Sequence, residues 1–238
     1  MGLYKSLITH HFSGKALPAK VERLSSFPGF RRRRLAATNL PETPGKGHVM
    51  RFPKIWLLRH GQTEWNAERR IQGQLESPLT PLGVQHARRQ AALMAPVMAQ
   101  SPACYASPLG RAQQTADIAL GGAPFVTDPR LAEAFAGDFQ GMTLDEVAAQ
   151  YPQVHGNNPR NLDLFCEAPG GEGYDSFHGR ILDFMQSLTG PSVVVAHGLL
   201  GQVMRGIVCG LSRDRMAALP NGQGCVYVLE NGAETVLE

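Results

Sequence analysis

The sequence contains no apolar run approaching the roughly 18 residues of a membrane-spanning helix, and residues 1–30 lack the continuous apolar core of a secretory signal. A membrane-spanning segment is thereby excluded, and a soluble, non-secreted, cytoplasmic protein without a membrane partner is expected. Cysteine is scarce: Cys104, Cys166, Cys209 and Cys225 lie far apart, with no C-x-x-C pair and no Cys/His cluster at zinc spacing. A structural zinc site and a dithiol redox motif are excluded, which leaves thiols in a reducing compartment. Also missing are DxD, HExxH and Walker-type loops, so no metal ligand set and no nucleotide-phosphate loop is announced. No internal repeat and no second domain are apparent, and 238 residues suffice for one sizeable core.

The net charge of +3 conceals two unlike segments. Residues 1–49 carry nine Lys/Arg against two Glu, whereas residues 50–238 carry fourteen basic against eighteen acidic residues. The first segment, with its run Arg31 to Arg34, has no sustained periodicity and is expected to be a basic, disordered extension. Three readings of it stand side by side. It is a non-functional extension preceding a biological start at Met50, an organelle-targeting presequence, or a basic arm that meets nucleic acid or anionic lipid. Residues 50–238 are expected to hold the functional domain, and nucleic acid is expected as a partner only through the arm.

From residue 54 short apolar runs alternate with helical stretches. "IWLLR" and "SVVVAH" read as buried strands, "ACYASP" and "PFVTD" as shorter ones. Thr80 and Pro81 mark a helix start, "LLGQVMRGIVCG" a helix ending at Gly210, and Asn231-Gly232 a hairpin between two final strands. This alternation predicts an α/β fold: a three-layer sandwich whose mostly parallel central sheet has helices on both faces.

Two strand ends carry the chemistry. The first ends in Arg59-His60-Gly61 and a late one in Ala196-His197-Gly198, so both histidines would enter one crevice beyond the carboxyl ends of adjacent strands. Arg59 and Arg111, the latter just past another strand end, offer guanidinium forks for phosphate oxygens. Two arginines and two histidines suit a dianion, and histidine can serve as a covalent nucleophile in phosphoryl transfer. Glu133 is the candidate proton donor to a leaving alkoxide, with a solvated carboxylate or an arginine's ion-pair partner as the plain alternative.

The motifs "LLRHGQTEWN", "ASPLGRAQQTA", "LAEAFAGDFQG", "PGGEGYDSFHGR" and "VVVAHGLLG" resemble, in order and approximate spacing, those of the histidine phosphatase superfamily of phosphoglycerate mutase-like proteins, over residues 52–238. The resemblance implies that His60 is transiently phosphorylated, that Arg59, Arg111 and His197 grip the phosphoryl group, and that Glu133 acts as acid and then base. It further implies that Asn66, Thr63, Gln72, Gly73 and Gly198 contact the substrate, with no cofactor and no metal. Phe139 and Gln140 depart from a common Trp-Glu pair, and Gly173 from a common Ser; these departures are expected at the pocket rim. The polar segment 151–171 lies where a lid or specificity loop would, with His155, Arg160 and Phe165 as candidate substrate contacts; for each of the three an ordinary surface-loop position is the favoured alternative. The chain has 189 residues from Met50 and little beyond its last hairpin, which favours an open pocket and hydrolysis of the phosphohistidine. The expected activity is a metal-independent phosphomonoester hydrolase acting on a small phosphorylated metabolite, with alpha-ribazole phosphate-type and broad-specificity hydrolases as the closest-looking subgroups. A mutase-type phosphoryl transferase and a non-catalytic phospho-ligand binder are the alternatives, and a homodimer is compatible with the sequence.

Overall fold

The computed structural model describes residues 32–34, 51–155 and 161–238. Among these residues one sheet is formed by β1 (Arg32–Arg34), β2 (Ile55–Arg59), β3 (Ala103–Ala106), β4 (Val126–Thr127), β5 (Ser192–Ala196), β6 (Val226–Glu230) and β7 (Ala233–Leu237), in the order β1-β7-β6-β2-β5-β3-β4. The helices are α1 (Glu64–Ala67), α2 (Pro81–Met98), α3 (Gly110–Ala119), α4 (Leu144–Gln150), α5 (Pro152–His155), α6 (Asn161–Cys166), α7 (Tyr174–Ser187), α8 (Gly198–Cys209) and α9 (Arg213–Ala217).

The runs in β2 and β5 have no polar face to show to water, so the chain must cover both sides of them. Alternation along β2 sends Ile55 and Leu57 into a cluster with Ile181 and Phe184 of α7 and Leu199 and Val203 of α8. It sends Trp56 and Leu58 into the opposite cluster, with Leu93 and Met94 of α2 and Ala116 of α3. The three layers expected from sequence follow from this split. Strands β2, β5, β3 and β4 run parallel, while β6 pairs antiparallel with β2 and β7 antiparallel with β6, and Asn231 and Gly232 turn the hairpin with φ of 53° and 74°. A third apolar cluster, built on Ile71, Phe139, Val147 and Leu164, lies apart from the sheet.

Two segments differ from expectation. Within the basic stretch expected to lack order, Arg32–Arg34 pairs antiparallel with β7, whose open edge offers unpaired N–H and C=O groups to any extended chain. The rest of residues 1–49 lies outside the described residues. The expected loop 151–171 contains the short helices α5 and α6, because Leu162 and Leu164 have core to enter.

Candidate active site

The register pairs Arg59 with Ala196, so the two strands end level and His60 and His197 follow side by side. The His60 N–H donates to the Ala196 carbonyl at 2.9 Å, and the two buried imidazoles stand 5.2 Å apart, tilted by 59°. His60 Nδ1 lies 2.7 Å from the Gly61 carbonyl, which can only accept. Nδ1 therefore carries the ring proton, and Nε2 keeps its lone pair for attack. His197 Nε2 lies 2.6 Å from Ser107 Oγ, which already accepts the Leu109 N–H. His197 Nδ1 is buried with no partner within the protein, and in the tautomer in which Ser107 donates its proton to Nε2 it is an N–H donor.

Both arginines are held by main-chain carbonyls. Arg59 donates from Nη1 to the Asn221 carbonyl at 2.5 Å, and Arg111 from Nη1 and Nη2 to those of Leu75 and Gly73 at 2.8 and 2.7 Å. Each Nε is buried and unpartnered within the protein. Burial lowers the pKa of both guanidinium groups, opposed by the charge of Glu133. Three buried donors, Arg59 Nε, Arg111 Nε and His197 Nδ1, thus belong to the groups around His60. Leaving such groups unsatisfied is costly, and an anion satisfies them together.

Glu133 stands at the N-terminus of α8, where the helix dipole favours an anion. Its Oε2 accepts from Leu199 N at 3.0 Å, and its Oε1 from Leu200 N at 3.0 Å and Ala134 N at 3.1 Å. Sequence reasoning did not find what holds it there. Arg180 grips the loop through the carbonyls of Arg130, Ala132 and Glu133 at 2.6–2.9 Å and forms a fork with Glu172, whose Oε1 also accepts the Phe135 N–H. Glu172 and Arg180 lie in a quoted motif, and only their eight-residue separation linked them in sequence.

A cavity of about 540 Å³ opens on this cluster, with Asn66, Gln72, Gly73, Glu133 and Gly198 in its wall. Asn66 accepts from Thr63 N and Gln223 Nε2 through Oδ1, so its amide N–H remains the group free to donate. Thr63, expected to contact substrate, does not line the cavity. It is wholly buried as the N-cap of α1, and its hydroxyl accepts from Asn66 N and from Gln72 Nε2 at 2.6 Å. It positions two cavity residues instead. A side chain at Gly198 would stand 2.5 Å from Asn221 Nδ2 and 3.2 Å from Arg59 Cζ, so only glycine lets the guanidinium lie across the start of α8.

Two of the three departures expected at the rim, Phe139 and Gln140, are underneath it, and the third, Gly173, precedes α7 with φ 73°. Phe139 is fully buried, edge-on to Tyr151. Gln140 Oε1 accepts the Gln74 N–H at 2.7 Å and fills the space where Gly73, at φ +54°, would carry a side chain. These two residues therefore support the loop whose carbonyls hold Arg111. Phe165, a candidate contact in the sequence, lines the cavity; the His155 side chain and Arg160 lie outside the described residues. Sequence reasoning also missed Asn221 and Gln223. Gln223 Nε2 donates to the His60 carbonyl at 3.1 Å, a contact that joins residues 163 positions apart and leaves no local signal.

Burial, then Arg111 and Arg59, pushes the His60 pKa well below the usual histidine range; burial, then Arg111, His60, Arg59 and Arg180, does the same to His197. Both rings are neutral when folded, whereas in the unfolded chain they protonate near pH 6.5. Below that pH the unfolded state binds more protons, so stability is full above about pH 6.5 and falls as pH drops toward the lowered folded values. Each ring removes up to about 1.4 kcal/mol per pH unit across this window. Urea denaturation at pH 7.5 and 5.5 should show the loss, with a shallower loss in His60→Ala; equal slopes in both proteins would contradict it.

The sequence pattern of the histidine phosphatase superfamily (branch 1) matches residues 55–236, and the chain belongs to that superfamily. It is 38% identical over 188 residues to glucosyl-3-phosphoglycerate phosphatase of Mycolicibacterium vanbaalenii, covering 71% of this chain and 80% of the relative. YhfR of Bacillus stearothermophilus superposes with a TM-score of 0.67 at 32% identity, over 74% of this chain and 90% of its own. The alpha-ribazole phosphatase of Shigella flexneri superposes with a TM-score of 0.65 at 25% identity, over 74% and 89%. The protein is a phosphatase of this superfamily, a phosphomonoester hydrolase working through a phosphohistidine.

Proposed function

We propose that His60 is the residue phosphorylated, and that the chain hydrolyses small phosphorylated metabolites in the cytoplasm without a metal ion. The three unpartnered donors around His60 carry this reading. Three phosphoryl oxygens take their hydrogen bonds from Arg59, Arg111 and His197, while Asn66 adds its amide N–H. His60 Nε2 attacks phosphorus, the P–O ester bond breaks, and Glu133, having taken up the proton of the entering phosphomonoester monoanion, gives it to the departing alkoxide. Water then attacks phospho-His60, Glu133 takes its proton, and inorganic phosphate leaves with the N–P bond broken. Charge on the equatorial oxygens is neutralised by side chains of this chain, which is the work a metal performs elsewhere. Glu133 has both oxygens engaged with main-chain N–H groups, so its turn as acid requires releasing one when substrate enters.

Relatives named for glucosyl-3-phosphoglycerate and alpha-ribazole support a small phosphorylated metabolite as substrate. All four cysteines are free, in keeping with a reducing compartment, and no helix among the described residues is long and apolar enough to cross a membrane. The deciding experiment is phosphate release from a panel of phosphomonoesters in excess EDTA. Undiminished release is expected. Activity lost to EDTA and restored by Mg²⁺ or Zn²⁺ would end the metal-free reading, and no release from any ester would end the hydrolase reading.

A further inference from the structure

Among the described residues the largest fully buried side chain is Arg205, which lies outside the cavity wall and takes no part in the phosphoryl chemistry. It stands three residues after Gln202 on the same face of α8, the helix whose first turn holds Glu133 and borders Arg59. Its Nε and Nη2 donate to the two oxygens of Glu234 on β7 at 2.5 and 2.8 Å, its Cζ lies 3.9 Å from the centre of the Tyr227 ring, and its Nη1 donates to the Pro220 carbonyl at 2.6 Å. Beside it, Gln202 Nε2 donates to the Leu219 carbonyl at 2.6 Å, and the Tyr227 hydroxyl accepts the Gly222 N–H at 2.8 Å. The segment 219–222 is thus fastened by buried side chains. Its other attachments are in the site: the Asn221 carbonyl takes Arg59 Nη1, and Gln223, next along, reaches the His60 carbonyl and Asn66 Oδ1. Two consecutive carbonyls therefore receive guanidinium groups, Pro220 that of Arg205 and Asn221 that of Arg59. An ion pair sealed from water adds little net stability, because desolvation of both charges opposes their attraction, and an apolar pair of similar volume commonly does as well. An apolar pair could not, however, hold a carbonyl in place.

We propose that Arg205, with Glu234 as its counter-charge, is a positioning residue for the phosphoryl clamp: it fixes the Pro220 carbonyl and, through the next peptide, sets where the Arg59 guanidinium stands. This rests on the clamp role of Arg59 put forward above and adds to it a residue that touches no substrate. Glu234 answers the charge that so deep a donor carries, which accounts for a carboxylate on the inward face of β7 beside the buried Val236.

The test removes the pair together, as Arg205→Met with Glu234→Leu, so that no orphaned charge is left in the core and the fold is kept. With para-nitrophenyl phosphate as substrate, kcat/KM should fall by about 10- to 100-fold, the scale on which a slight misplacement of a positioned group is felt, and inhibition by inorganic phosphate should weaken in step. A pair that serves only the fold would leave both quantities unchanged at an unchanged melting temperature, and that result overturns the proposal. Should the melting temperature fall, the decision passes to the same two substitutions made in Arg59→Met protein. With no guanidinium left to place, they should there cost less than about twofold; an equal cost in both backgrounds overturns the proposal as well. Arg205→Lys keeps the charge but lacks the fork that spans Glu234 and Pro220, and should show an intermediate loss. If the wild type releases phosphate from no ester, the hydrolase reading falls, and the affinity of the same proteins for inorganic phosphate, measured by calorimetry, decides the role of Arg205 by the same comparison.

Discussion

Replacing His60 with alanine should lower kcat for phosphate release by at least about 10⁴-fold, the scale on which loss of a covalent nucleophile is felt. The neighbouring imidazole cannot substitute. His197 presents an Nδ1–H, not a lone pair, as long as Ser107 donates to its Nε2, and its ring centre lies 5.2 Å from that of His60. Rapid acid-free quenching of wild type with ³²P-labelled substrate should capture label that is stable in alkali and lost in acid, the behaviour of a phosphoramidate. His60→Ala should capture none. Folding is a minor concern, since the His60 side chain makes one hydrogen bond, to the adjacent Gly61 carbonyl. Label retained in the variant would move the nucleophile to another residue.

Glu133→Gln should slow hydrolysis of alkyl phosphates by about 10²–10⁴-fold, the usual span for a lost general acid, and aryl esters with good leaving groups far less. The split carries the argument, because Glu133 also has a structural task. Its two oxygens meet the N–H groups of Ala134, Leu199 and Leu200. A glutamine turns one acceptor into a donor facing those N–H groups, which disturbs the start of α8 whatever the substrate. A structural defect slows both ester classes alike, whereas a missing proton matters only where the leaving oxygen is basic. Equal losses across the series would leave Glu133 as a cap of α8 and remove it from the chemistry.

The parts of the site legible in sequence are those written locally. Arg59-His60-Gly61 and Ala196-His197-Gly198 announce themselves because each follows a run too apolar to be anything but a buried strand, and parallel register then brings the histidines together. The layers were legible for the same reason. Glu133 was weaker: its position at α8 depends on Arg180 and Glu172, and on a helix start 65 residues further on. Thr63 was misread because a Thr-x-x-Asn cap and a substrate hydroxyl look alike until burial distinguishes them. Phe139 and Gln140 were placed at the rim because nothing in their neighbourhood tells that one enters a core and the other holds the Gly73–Gln74 turn. The strand Arg32–Arg34 carries no apolar pattern; its pairing comes from the edge of β7. Asn221 and Gln223 meet their partners only after β6 has been laid beside β2.

The clamp arginines are fastened by peptide carbonyls of Gly73, Leu75 and Asn221, and the Glu133 loop by peptide carbonyls reaching Arg180. A carbonyl is supplied by every amino acid. The residues that face the cavity from these loops can therefore be exchanged during divergence, or by design, while the charge that activates the phosphoryl group stays where it is. Such a site is evolvable by construction: its reaction is inherited through the backbone, and its choice of substrate drifts with the side chains.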